Sequence, residues 1–559
     1  MFNVTFSDGK TLTLSQPVTG EDLLKVHPAQ TDVQVVAWHV NHYLRPLDWV
    51  VDNDAIVDWV DLRSSEGVGV YQSSLSFVLT IAARRALGRS IIVNNSISEG
   101  LFWELEPRHI ASDDKEEEEE SISPEDFKLL KKELDDLIAA DLPIRSEITS
   151  IDRACQYFIA QGRPNKARLL NFAMTELPVE LDECAGYKDM FWTPLVPSTG
   201  YLKCYALSRL TPGMVLRFPT TNTPKELPPY HPSRKLQKVF LDYADWMKKL
   251  HVSNMADVWD AVARDGGSEL ILVSEALHAQ QITAITVDFL SEPDRRVITI
   301  AGPSASGKTT TSHKLRIQLQ VMEKHPVAIS LDDYFVDREK CPLDENGNYD
   351  FEAVESLNLD LLESQMSDLL AGKTVRLPKF NFHTGKSMQG NELKLQDNDV
   401  LIIEGLHGLN DRILETIPRE RRFGIFLSPL TSISLDNHTR TSTTDLRLLR
   451  RMLRDFRTRG SSPVDTLLRW PSVVRGGMKY IFPYQKNADA MFNSSLFYEL
   501  PVMRIYAELL LRGISPDSPV YGEAARLLRL LRDVPPIAPN KVPSNSLLRE
   551  FIGGSIIEI

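Results

Sequence analysis

Cysteine is scarce in this sequence. The 559 residues contain four (Cys155, Cys184, Cys204, Cys341), scattered and with no C-x-x-C spacing. That excludes a disulfide framework or a cysteine-built zinc site as the organising device, and it fits a reducing compartment. Long apolar runs are also missing: none approaches the ~20 residues needed to span a bilayer. The opening stretch MFNVTFSDGKTLTL alternates apolar and polar residues and lacks the basic and apolar regions of a secretory leader. A cytoplasmic location with no membrane partner is the expectation. Positive charge is in deficit as well, with 63 Lys+Arg against 76 Asp+Glu and a net charge of −13. Non-specific nucleic-acid binders neutralise phosphates with a basic surplus, so that class is excluded. A small nucleotide pocket is not excluded, because local charge decides it. There is no internal repeat, and the only biased tract is the acidic connector at 112–127, read as a solvated loop.

What is present is ordinary for a globular protein: 42% hydrophobic and 25% charged residues. At ~150 residues per domain the length implies three or four domains. Residues 1–62 read as a β-rich unit with a hairpin turning at Asp8-Gly9. Helical periodicity runs from Ser73 to Leu87 and stops at Gly88, and further helices are expected at 125–137, 149–173, 232–250 and 258–266. The stretch 175–235, rich in proline and aromatics, reads as irregular β structure. Short apolar runs at 297–301, 326–330, 399–403 and 423–427 then alternate with helical stretches, the pattern of a parallel sheet covered by helices. The expected class is therefore α/β, with a β-rich and an α+β region in front.

The chemistry concentrates in the second half. GPSASGKT (302–309) matches G-x-x-x-x-G-K-[ST] in full, after a strand and before a helix. The loop Gly302, Pro303, Ser304, Ala305, Ser306, Gly307 and the helix start at Lys308, Thr309 and Thr310 can cradle a polyphosphate with backbone N–H groups. Lys308 would reach the β/γ-phosphates and the Thr309 hydroxyl would ligate Mg²⁺. VAISLDDYF (327–335) delivers Asp332 and Asp333 at the carboxyl end of a strand, where ligands sit in such sheets. Asp332 can there accept the proton of an attacking hydroxyl. DVLIIEGLHGL (399–409) ends a strand in Glu404, placed to hold Mg²⁺ or its waters. RLLRRMLRDFRTRG (447–460) gathers Arg447, Arg450, Arg451, Arg454, Arg457 and Arg459 on one helix, an excess that suggests a lid closing on phosphate.

Taken with YDFEAVESLNLDLL and GKTVRLPKFNF, these stretches resemble the uridine kinase/phosphoribulokinase family of P-loop kinases over roughly 290–510. The resemblance implies ATP and Mg²⁺ as cofactors and a nucleoside as substrate. It implies Asp332 as the catalytic base, and Phe351 and Glu352 beside the sugar. Phe380 and Phe382 would flank the base, Glu404 would be the magnesium-side acid, and Arg451, Arg454 and Arg459 would be lid arginines. Two departures stand out. Glu352 replaces the usual Asp, and Gly385 occupies the place of a base-contacting histidine, with His383 nearby but out of register.

The first half resembles the front of threonyl-tRNA synthetases: a TGS-like region (1–62) and an editing-like region (63–235), carried by LPIRSEITSIDRACQYFIAQGRPNKARLL and DMFWTPLVPSTGYLKCYAL. The four reactive editing positions fall on Tyr71, Leu75, Phe191 and Leu195, none able to perform that proton transfer. This arrangement resembles bacterial TGS-domain uridine kinases, whose ending VPSNSLLREFIGGS (542–555) also resembles. The expected division is 1–62, 63–235, a helical connector 236–290, a kinase domain 291–510 and a C-terminal segment 511–559. The leading reading is an ATP-dependent nucleoside kinase acting on a 5′-hydroxyl. A sugar phosphate as acceptor is one alternative, and an RNA-associated nucleotide sensor is another. RNA contact through the TGS-like region and self-association are the further partner options.

Overall fold

The computed structural model describes the chain except for residues 98–99, 107–120, 174–177, 230–237, 241–242, 244–245, 248, 344–346, 348, 382–383, 432 and 558–559. Most of the acidic connector, much of the expected helix 232–250, and both Phe382 and His383 therefore lie outside the described residues. The chain divides into two compact units. One comprises Met1–Arg264, Thr431–Thr441 and Glu508–Pro536. The other comprises Asp265–Leu430, Ser442–Ala507 and Ile537–Ile559.

The first unit opens with a mixed five-stranded sheet. Strand Phe2–Phe6 pairs antiparallel with Thr11–Leu14, through the turn at Asp8-Gly9, and parallel with Ala55–Asp61. Alternation in these strands buries Val4, Phe6 and Val57 on one core face, while Val60 points to the other side into a second core. The helix Ser65–Leu87 begins earlier than its periodicity suggests. Ser64 caps it by accepting from the Gly67 N–H, and Gly67 must be glycine because a Cβ there would stand 2.1 Å from the Asp61 carbonyl oxygen. It ends on left-handed Gly88. A four-stranded antiparallel sheet follows, ordered Ala206–Leu210, Gly213–Arg217, Gly100–Leu105, Ile91–Ile97. The expected helix 149–173 is broken in two, Ile151–Ala160 and Pro164–Ala173, at Gly162 (φ 71°) and the following Pro164. Tyr71, Leu75 and Leu195 are buried in one core, and Phe191 packs against it edge-on to Phe77 at 5.4 Å.

A buried ionic cluster ties the short segment Thr431–Thr441 into this unit. Lys166 pairs with Asp189 and, at 2.6 Å, with Asp436. Arg163 lies 3.0 Å and His438 Nδ1 2.6 Å from Asp189 Oδ2. Burial opposes ionisation of Asp189, but Arg163, Lys166 and His438 outweigh it and hold the carboxyl well below its ordinary pKa.

The second unit is built on a five-stranded, all-parallel sheet. Its order is His325–Ser330, Asp399–Glu404, Val297–Ala301, Arg422–Ser428, Ala490–Asn493. The central strands read as continuous apolar runs because helices cover both faces. The last strand, AMFN, is too short to stand out by sequence pattern. The sheet register sets Ser330 beside Glu404 and Glu404 beside Ile300, so three strands deliver their carboxyl ends to one edge.

Replacing Lys166 by Met removes the cation between two buried carboxylates. The first unit is expected to lose about 3–5 kcal/mol, the usual penalty for stranding a buried charge. Denaturant unfolding measures this; a loss below ~1 kcal/mol contradicts the cluster's role.

Candidate active site

The phosphate loop leaves strand Val297–Ala301 and enters helix Lys308–Val321. Its path depends on small residues and positive φ. Ala305 has φ 62° and Gly307 φ 89°, and a Cβ at Gly302 would meet the Leu427 carbonyl oxygen at 2.2 Å. Lys308 Nζ donates back to the carbonyls of Gly302 (3.0 Å) and Pro303 (3.4 Å). Thr309 is exposed on the first turn of the helix, and Thr310 beside it is buried.

Two carboxylates face the lysine from neighbouring strand ends. Asp332 follows strand His325–Ser330 in a single helical turn, where its N–H donates to Ser330 Oγ. The residue is open to solvent on one side. The protein packed around its carboxyl still raises its pKa, with Asp333 adding to the rise and Lys308, Arg459 and Arg454 opposing it. Glu404 ends the neighbouring strand and accepts from Ser330 Oγ at 3.1 Å. Burial, and then the nearby Asp332, push it up to about 7, against Lys308. Burial in turn lowers the Lys308 ammonium, against Glu404 and Asp332. Lys308 is thus coupled to both carboxylates, and Asp332 also acts on Glu404. Glu352, on the segment after Asp350, joins the edge of this group. Burial raises its pKa against Arg451, Lys308 and Arg447, and its Oε2 is buried with no hydrogen-bond partner.

The arginine helix Thr443–Thr458 is not a solvated face. Arg447 and Arg450 are 3% and 0% exposed. Arg447 Nε donates to the Ser304 carbonyl (3.1 Å), and its guanidinium stacks over Trp470. Arg450 pairs with Glu499 at 2.6 Å and braces the sheet end. Arg451 Nη1 donates to Ser304 Oγ at 2.8 Å, so it reaches the loop directly. Arg454 and Arg459 are held by Asp455, at 3.4 and 3.3 Å. Arg459 is the most exposed of this group, 55% by its side chain.

Of the expected substrate contacts, Phe351 is exposed beside Tyr349, while Phe380 is buried against Phe335 at 5.5 Å. Gly385 turns the hairpin between Val375–Asn381 and Lys386–Leu393 at φ 68°, against Arg338, so a left-handed turn occupies that register. Sequence reasoning assigned no role to His407, although EGLHGL contains it. It is buried, and desolvation lowers its pKa to about 4. It is therefore a neutral imidazole. Among the described residues no group of three or more His, Cys, Asp or Glu is set to hold a metal. Thr309, Glu404 and Asp332 are nevertheless oxygen donors around crowded carboxylates, which suits a hard divalent cation shared with phosphate oxygens.

Residues 297–497 match the phosphoribulokinase/uridine kinase family. A uridine kinase of Staphylococcus aureus is 30% identical over 197 residues, covering 34% of this chain and 84% of that enzyme. A solved Bacillus stearothermophilus structure described as a possible uridine kinase is 19% identical over 37% of this chain and 97% of its own, with a TM-score of 0.26.

Glu404 should trade stability for chemistry. Its folded carboxyl keeps a proton to about 7, whereas an unfolded glutamate releases it near 4.5. Its contribution to stability is therefore present at low pH and lost as pH rises between those values. In chelator, Glu404→Gln is expected to raise stability by about 1–3 kcal/mol at pH 8 and leave it unchanged at pH 4. Thermal melts at both pH values check this, and equal effects at both would contradict it.

Proposed function

Since the chain belongs, through residues 297–497, to the phosphoribulokinase/uridine kinase family, and so is a phosphotransferase acting on a hydroxyl group, we propose that its acceptor is the 5′-hydroxyl of a ribonucleoside, uridine or cytidine first. The observation that carries this reading is the convergence of Lys308, Asp332 and Glu404 at one edge of the parallel sheet, where both carboxylates act on Lys308 and Lys308 acts on both. Asp332 takes the proton from the attacking hydroxyl, and its side open to solvent gives the acceptor access. Lys308, Arg451 and Arg454 balance charge on the transferring phosphoryl group of ATP. Bound through Thr309 and Glu404, Mg²⁺ would neutralise charge on the phosphate oxygens. In this reading Glu352 stands beside the sugar, and its unpartnered buried oxygen favours an acceptor that donates a hydroxyl to it.

A sugar phosphate is the second reading. What favours it is Gly385 in a tight turn where a base-contacting side chain would stand, together with Arg451 donating to the phosphate loop and Arg454 and Arg459 near Asp332. In the first unit, the buried aromatic and aliphatic packing of Tyr71, Leu75, Phe191 and Leu195 supports a scaffold rather than an editing centre. The likeness to the front of threonyl-tRNA synthetases, with RNA contact through residues 1–62, belongs to the same proposal.

The test is ADP release against uridine, cytidine, adenosine, guanosine and a set of sugar phosphates. Asp332→Asn is expected to keep ATP binding and lower kcat by ~10²–10⁴-fold on the preferred acceptor. Ribonucleosides are expected to differ by less than ~10²-fold in kcat/KM, because stacking discriminates less than hydrogen bonds to a base edge. An unchanged kcat removes Asp332 as the base. Turnover of sugar phosphates alone favours the second reading.

A further inference from the structure

The group best connected to the phosphate loop, beyond the residues assigned above, comes from the far end of the chain. The segment reaching the short helix Arg549–Ile552 packs directly on the loop. A Cβ at Gly307 would stand 2.8 Å from Leu547 Cδ1. Three residues on, Glu550 is 5% exposed and accepts a hydrogen bond from Thr310 Oγ1 at 2.7 Å. Its other carboxylate oxygen lies 3.9 Å from Arg454 Nη1. Arg457 fastens the same turn, donating to the carbonyls of Glu550 (2.7 Å) and Phe551 (3.4 Å), and Arg450 stacks over the Phe551 ring at 4.9 Å. One short segment thus touches the loop, the first turn of the helix after it, and three arginines of the helix Thr443–Thr458.

A carboxylate buried this close to a phosphate site is costly unless charged and hydrogen-bonding partners offset it. Glu550 has both kinds, and both belong to the nucleotide machinery. Its field also reaches Lys308 and Glu404, so its charge is felt where the phosphates would lie. The hydrogen bond fixes the Thr310 turn against the C-terminal segment, and the charge aims Arg454 toward the loop.

We propose that Glu550 is a positioning residue for the nucleotide, holding Thr310 and Arg454 in place, so that the C-terminal segment completes the ATP site. This rests on the reading of the cleft as an ATP-dependent kinase site. The test uses the full chain with Glu550→Ala and Glu550→Gln, reading calorimetric binding of a non-hydrolysable ATP analogue and steady-state kinetics. Glu550→Ala is expected to weaken analogue binding about tenfold or more, the range for a hydrogen bond to a charged group. Glu550→Gln keeps an oxygen acceptor for Thr310 but lacks the charge. It is expected to restore binding to within about threefold, while kcat stays about tenfold low because Arg454 is no longer aimed. In both variants the KM of the acceptor is expected to be unchanged. Wild-type kcat in Glu550→Gln, wild-type binding in Glu550→Ala, or an acceptor KM rising in step with that of ATP would each overturn the proposal. If Glu550→Ala does not fold, the kcat and binding split in Glu550→Gln decides alone. Absence of analogue binding by the unaltered chain would instead overturn the kinase-site reading, and this inference with it.

Discussion

The close approach of the loop 302–307 to strand Arg422–Ser428 governs the kinase-family region. The Leu427 carbonyl leaves no room for a side chain at residue 302, and residue 307 must turn through a left-handed conformation. Only with that path does helix Lys308–Val321 start at the sheet edge, where its first residue Lys308 is coupled to Asp332 and Glu404. The helix macrodipole and Lys308 then make an anion site that two raised carboxylates border. Those carboxylates are destabilising by themselves. Their cost marks a place held for chemistry rather than for stability.

The arginine helix supplies the second constraint. Its residues divide by depth: Arg447 and Arg450 are buried and donate to loop carbonyls and Glu499, whereas Arg451 donates to the Ser304 hydroxyl and Arg454 sits between Asp455 and Glu550. Burying guanidinium groups requires dedicated partners, and Glu499 and the carbonyls of Ser494 and Ser304 provide them. A helix that is held so firmly presents its remaining arginines at fixed positions, as electrostatic stabilisation of a transferring group requires.

Much of this was legible from residues close in sequence. The loop motif, Asp332 and Glu404 each sit at the end of an apolar run whose length and composition mark a buried strand, so pattern and chemistry coincide. The start of helix Ser65–Leu87 was not legible, because Gly67 and Gly69 weaken helical periodicity, while the need for Gly67 arises from contact with Asp61. Nor was the burial of Arg447 and Arg450, since periodicity assigns charged residues to solvent. Glu550 lies 240 residues from Thr310, and no local pattern connects them. The buried pairing of Lys166 with Asp436 is likewise a product of tertiary packing. In the first half, by contrast, the aromatic and aliphatic character of Tyr71, Leu75, Phe191 and Leu195 could be read directly, and these residues pack in or against one core.

The central claim is that the sheet edge carrying Lys308, Asp332 and Glu404 passes phosphate from ATP to a nucleoside hydroxyl. Its most direct measurement follows the labelled γ-phosphoryl group of ATP with uridine as acceptor, with its point of attachment mapped by phosphorus NMR. The account predicts the labelled phosphoryl group esterified to the nucleoside's own 5′-oxygen, in amounts equal to the ADP formed. Label found only in inorganic phosphate, or no transfer to any ribonucleoside while a sugar phosphate is labelled, would contradict it.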